Sequence, residues 1–125
     1  FQVIGSPALK DFFQFQFTPR SLKGFDKHPL HQNQACFGLD LRTKKELPQG
    51  FSLKYLLQFY QLYQKQYPDA EKRFFSRSQW FDLLMGTSQV RKDILQGKTE
   101  SEIRQAWEKD LQAYRSLREK YLLYE

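Results

Sequence analysis

Leu84-Met85-Gly86-Thr87, then Ile94-Leu95-Gln96-Gly97-Lys98-Thr99, then the run from Ile103 through Trp107 to Tyr121-Leu122-Leu123-Tyr124 close this 125-residue chain. Each of the first two strings ends an apolar segment on a glycine, the residue that most readily takes the left-handed conformation after a helix. Two short helices are therefore predicted, the first starting at Ser78 with Trp80, Phe81, Leu83 and Leu84 as its apolar positions, the second running from Ser88 to Gln96 with Val90, Ile94 and Leu95 turned inward. Thr99-Glu100-Ser101-Glu102 has the spacing of a capping box, in which hydroxyl and carboxylate satisfy each other's free backbone donors. Ile103, Trp107, Leu111, Tyr114, Leu117 and Tyr121 then recur on one face, so a long amphipathic helix is predicted from Thr99 to about Tyr121, packed by that face. Acidic residues in its first turn and Arg115, Arg118 and Lys120 in its last both suit the helix dipole.

Upstream, the period shortens. Phe13, Phe15 and Phe17 alternate with Gln14 and Gln16, which predicts a half-buried strand that Thr18-Pro19 terminates. Residues 20–34 hold Gly24, Pro29 and two histidines without periodicity and read as loop. A second strand is expected with Ala35, Phe37, Leu39 and Leu41 on one face and Cys36, Gly38, Asp40 and Arg42 on the other. After a turn at residues 43–50, Ser52 is expected to cap a helix, with Phe51 and Leu56 as its hydrophobic staple, and Pro68 to stop it. Phe74-Phe75 reads as a short third strand. Strands first and helices after give an α+β fold: a small antiparallel sheet from the N-terminal half, covered by C-terminal helices. The length suits one domain over residues 1–125.

Composition narrows the function. The net charge is +6, but Lys and Arg are scattered and the last helix alternates signs as a solvated face does, so no nucleic-acid stripe is expected. Aromatics at 17% can fill a core, stack on sugars or face another domain. One cysteine allows no internal disulfide, and no apolar run is long enough to span a membrane. His28-Pro29-Leu30-His31 lacks the further ligands that a metal site needs, and Cys36 sits in a strand without an oxyanion-hole sequence. Asp11, Asp26 and Asp40 are spare carboxylates of the kind every domain has. No catalytic set, cofactor or metal is expected, and a stand-alone protein-interaction module is the alternative to an enzyme's auxiliary domain.

Several strings resemble the C-terminal domain of the NamZ-type exo-β-N-acetylmuramidases. They are Phe1 to Pro7, Phe15-Gln16-Phe17-Thr18-Pro19-Arg20-Ser21, Cys36-Phe37-Gly38-Leu39-Asp40, Phe81 to Thr87, Ile94 to Gly97, Ile103 with Trp107, and Leu117 to Tyr124. The resemblance implies a bacterial two-domain hydrolase that removes terminal N-acetylmuramic acid from peptidoglycan fragments during cell-wall turnover. It implies further that a Rossmann-like N-terminal domain, absent here, supplies the catalytic glutamate, with the cleft between the two domains. The segment between Gly5-Ser6-Pro7 and Phe17-Thr18-Pro19 is short by that family's habit. The parent protein is expected to be exported. Thr18 and Ser21 carry hydroxyls suited to sugar oxygens and Arg20 a fork suited to a lactyl carboxylate, so these three are the expected substrate-binding residues. By itself the chain is expected to fold but not to hydrolyse such glycosides.

Overall fold

The computed structural model describes residues 2–43 and 50–122, and its elements run β1 (Val3–Ser6), β2 (Gln16–Phe17), β3 (Cys36–Asp40), α1 (Lys54–Gln66), α2 (Ala70–Phe74), α3 (Ser78–Met85), α4 (Gln89–Leu95) and α5 (Glu100–Glu119). This is the α+β architecture expected, with the long helix last. The residues form two compact units, one of residues 1–52 and 58–70, the other of residues 53–57 and 71–125. The expected turn at Lys44 to Gln49 and the closing Leu123-Tyr124 lie outside the described residues.

In the first unit the sheet order is β1-β3-β2, and both pairings are antiparallel. The sequence gives little warning of β1, whose four residues Val3-Ile4-Gly5-Ser6 show no alternation. Gly5 stands opposite Gly38, and Phe17 stands opposite Cys36. A Cβ added at Gly5 would lie 2.9 Å from the Phe17 ring and 2.5 Å from the Phe37 carbonyl oxygen. The missing side chain at Gly5 therefore leaves the space beside which the Phe17 ring lies. The two expected faces of β3 hold: Cys36 and Gly38 share the buried one, while Phe37 and Leu39 are half-buried on the other and Ala35 is exposed. Small side chains sit where the covering is tightest.

The strand expected from Phe13 to Phe17 shrinks to Gln16–Phe17. Phe13 instead stacks on Phe59 of α1, ring centroids 5.4 Å apart. Ser6 ends β1 by accepting from the Ala8 N–H at 3.3 Å, starting the short 3-10 turn that buries Leu9. The same hydroxyl lies 2.7 Å from the Tyr63 hydroxyl, linking the sheet to α1. At the far end of β3, Arg42 grips Asp40 with two bonds of 2.8 and 2.7 Å, which holds the Asp40 carboxyl below its ordinary range.

The second unit is helical. α1 starts at Lys54, so Leu53, whose carbonyl accepts from the Leu57 N–H at 2.9 Å, occupies the cap position that Ser52 was expected to hold. The Leu53 N–H donates to Glu100 Oε1 at 3.0 Å, fastening that start to the first turn of α5. Phe74-Phe75 is not a strand. Phe74 ends α2, and Phe75 is buried edge-on against Phe81 at 4.9 Å, a packing in which Phe75 serves a helical core. Gly86 has φ 72° after α3, as its expected role requires. Beyond α4, Gly97 N–H donates to the Ile94 carbonyl and Lys98 N–H to the Asp93 carbonyl, the paired bonds of a Schellman ending. The capping box at Thr99 and Glu102 is complete. Ile103 is fully buried, Trp107 half-buried, and Leu111, Tyr114, Leu117 and Tyr121 exposed, so the stripe on α5 packs only at its N-terminal end.

Asp93 is a polar member of this core, 1% exposed, accepting from Lys98 Nζ at 2.7 Å and Gln89 Nε2 at 2.8 Å. The Lys98 hydrogen bond outweighs burial and lowers its pKa. A depressed carboxyl adds stability that is present above the unfolded value of about 3.9 and lost as pH falls through the folded one. The stability gap between the parent chain and Asp93→Asn should be widest above about pH 5 and close as pH falls below about 4. Urea titrations across that range measure it, and a gap unchanged from neutral to acid pH would contradict this role.

Candidate functional site

Thr18, Arg20 and Ser21 leave the sheet at the end of β2, and all three are exposed. The loop they open is closed at its base by the Asn33 N–H, which donates to the Pro19 carbonyl at 2.8 Å. Inside it, Leu22 N–H meets the Asp26 carbonyl at 3.0 Å, and Asp26 Oδ1 accepts from the His28 N–H at 2.9 Å. The carboxylate of Asp26 is thus occupied in its own turn, as that of Asp40 is with Arg42. His31 and Asn33 both take left-handed backbone, φ 59° and 61°. Asn tolerates that region, whereas His adopts it at some cost, and such residues gather where a loop is shaped for contact.

Beside this loop lies a cavity of about 520 Å³, lined by Val3, Ile4, Gly5, Phe17, Pro19, Pro29, Leu30, His31, Cys36 and Phe59. Its wall is mostly apolar. Pro19 belongs to it, and the expected residues Thr18 and Arg20 flank Pro19 in sequence, while Thr18, Arg20 and Ser21 themselves are not among its lining. Among the described residues, no side-chain hydrogen bond or ion pair ties down any of the three, which leaves a hydroxyl, a guanidinium and a second hydroxyl available to a ligand.

Cys36 is 1% exposed, its thiol points to the Gln34 carbonyl at 3.8 Å, and burial pushes its pKa up, so the thiolate a nucleophile needs is disfavoured. No hydrogen bond joins it to His31 among the described residues. Nor do the described residues include a group of three or more His, Cys, Asp or Glu that could hold a metal ion. No helix among them is long and apolar enough to cross a membrane.

The helical unit carries a second concavity, about 500 Å³, lined by Ser76, Arg77, Ser78, Gln79, Trp80 and Leu83. Trp80 is 62% exposed there, although the sequence marks it only as an apolar position of α3. An exposed indole among hydroxyl, amide and guanidinium groups is chemistry suited to a polar ring. The Ser-Arg-Ser-Gln run before Trp80 is the signal that could have shown it.

Among curated proteins none matches this chain significantly. The crystal structure of a DUF1343 family protein from Bacteroides fragilis superposes with a TM-score of 0.73 at 32% sequence identity, covering 99% of this chain and 33% of that one. The chain therefore spans about a third of that relative's length. The family described as "Exo-beta-N-acetylmuramidase NamZ, C-terminal" matches residues 1–124. With the match running from end to end and the fold agreeing, the chain belongs to the NamZ C-terminal domain family.

Proposed function

We propose that residues 1–125 are the auxiliary C-terminal domain of an exported, peptidoglycan-degrading exo-β-N-acetylmuramidase, forming one wall of its substrate cleft in cell-wall turnover and recycling. The observation that carries this reading is the family match over residues 1–124, in a chain a third the length of a structural relative. The hydrolytic carboxylate belongs, on this reading, to a Rossmann-like N-terminal domain, and this domain contributes recognition. Its contribution is the exposed exit of β2: Thr18 and Ser21 for sugar hydroxyls and Arg20 for the lactyl carboxylate of muramic acid. A hydrogen bond between charged groups in a cleft is worth about 1.5–3 kcal/mol, or about tenfold and upward in rate.

Arg20→Ala in the full-length enzyme should therefore lower kcat/KM about tenfold or more for a muramic-acid glycoside. The N-acetylglucosamine analogue, which lacks the lactyl acid, should lose much less. Steady-state kinetics on the two synthetic substrates separate the outcomes. Equal small effects on both would leave Arg20 as a solvated charge and remove it from the site.

A further inference from the structure

α5 is packed at one end only. Its apolar residues Ile103, Trp107, Leu111, Tyr114 and Leu117 fall within less than half the helix circumference, at about 100° per residue, and Tyr121 and Leu122 follow just beyond its end. Ile103 is sealed inside the helical unit, yet Leu111, Tyr114, Leu117, Tyr121 and Leu122 are 42–76% exposed. The remaining faces are dressed for water, with Gln112 and Arg115 both bonded to Glu108. These five side chains expose on the order of 500 Å² of surface, the upper end of what a soluble monomer leaves uncovered.

We infer that the outer half of this stripe, Leu111 to Leu122, docks intramolecularly on an apolar surface of the polypeptide region N-terminal to this domain. The inference rests on the two-domain part of the function proposed above. Two observations favour that occupant over a second copy of the chain. The family is the C-terminal portion of a longer protein, and the structural relative is about three times as long, so a covalently attached neighbour is available. The patch is also too small for a free dimer, whose stable interfaces take about 800 Å² from each partner. A tethered neighbour meets no such threshold, because the linker holds it at millimolar effective concentration, and interfaces between domains of one chain start at about 600 Å² in total.

Thiol labelling in the full-length protein tests this. Leu117→Cys, with Tyr114→Cys as a second reporter should the first disturb folding, places a thiol on the stripe, and Lys109→Cys places one off it. Rates are taken with a small maleimide under native conditions, after subtracting the parent protein's own reaction. The stripe thiols should react at least tenfold more slowly than Cys introduced at position 109, in a protein that light scattering shows to be monomeric. Equal rates would overturn the proposal, as would protection that appears only as the protein dimerises. The readout needs no substrate, so it fails independently of the functional reading: protection in a protein that cleaves no muramic-acid glycoside removes the activity and leaves the docking, and a fast-labelling stripe in an active hydrolase does the reverse.

Discussion

Gly38→Ala should cost the chain at least about 3 kcal/mol, the upper range for forcing atoms into a filled site. The position lies at the centre of β3, directly opposite Gly5 of β1. A methyl group there would meet the Ile4 carbonyl oxygen and the Gly5 Cα, both backbone atoms of the paired strand, with the latter at 2.6 Å. Backbone cannot rotate aside as a flexible side chain can, so β1 must slide or detach. Either movement breaks the register of β1 on β3 and draws Gly5 away from the Phe17 ring beside it. The measurement is urea denaturation followed by far-UV circular dichroism. Gly24→Ala is the control: no heavy atom lies within 4 Å of its added Cβ, and only its φ of 87° opposes the change, a strain of about 1–2 kcal/mol. If Gly38→Ala were no worse than Gly24→Ala, the close approach of β1 and β3 would be wrong.

Ile103→Ala should destabilise by about 2–5 kcal/mol, because the side chain is fully buried and its removal leaves a cavity. Its surroundings explain why so much should be lost. It follows the Thr99–Glu102 capping box directly, and Glu100, one turn away, holds the Leu53 N–H, so this corner has little freedom to close around a void. Leu117→Ala on the same stripe removes a comparable group from an exposed position and should change stability by less than about 1 kcal/mol in the isolated chain. Denaturation curves with unchanged slope would show that the two differ in stability and not in the unfolded state. Equal costs at both positions would mean that the stripe is covered along its whole length.

What could be read from sequence was what depends on short-range chemistry. Thr99 with Glu102, Gly86 and Gly97 each satisfy backbone groups a few residues away, and all three behave as their local pattern requires. Which face of β3 is buried was not legible, because it depends on a glycine thirty-three positions upstream and on the ring of Phe17, neither of which alters the local pattern. Phe74-Phe75 reads as strand by composition, yet the edge contact with Phe81 holds it in helical surroundings. For the candidate site, the exit of β2 at Pro19 was legible because proline ends a ladder whatever surrounds it. The Trp80 concavity was not, since an apolar residue on a short helix gives no sign of whether anything covers it. Asp93 escaped for the opposite reason: only the fold reveals that a carboxylate in an ordinary helical sequence is sealed beside Lys98.

The sheet order has a consequence for how the protein is made. β1 and β2 do not pair with each other; both hydrogen-bond to β3, the last of the three to leave the ribosome. Until Cys36 to Asp40 has been synthesised, the earlier strands have no partner, and both loops must close before any ladder rewards their lost entropy. The nascent segment before residue 36 is thus a pair of waiting edges, kept harmless by brevity, since strands of four and two residues offer a poor template for aggregation. A ribosome stalled before residue 36 would leave β1 and β2 without the strand to which both hydrogen-bond.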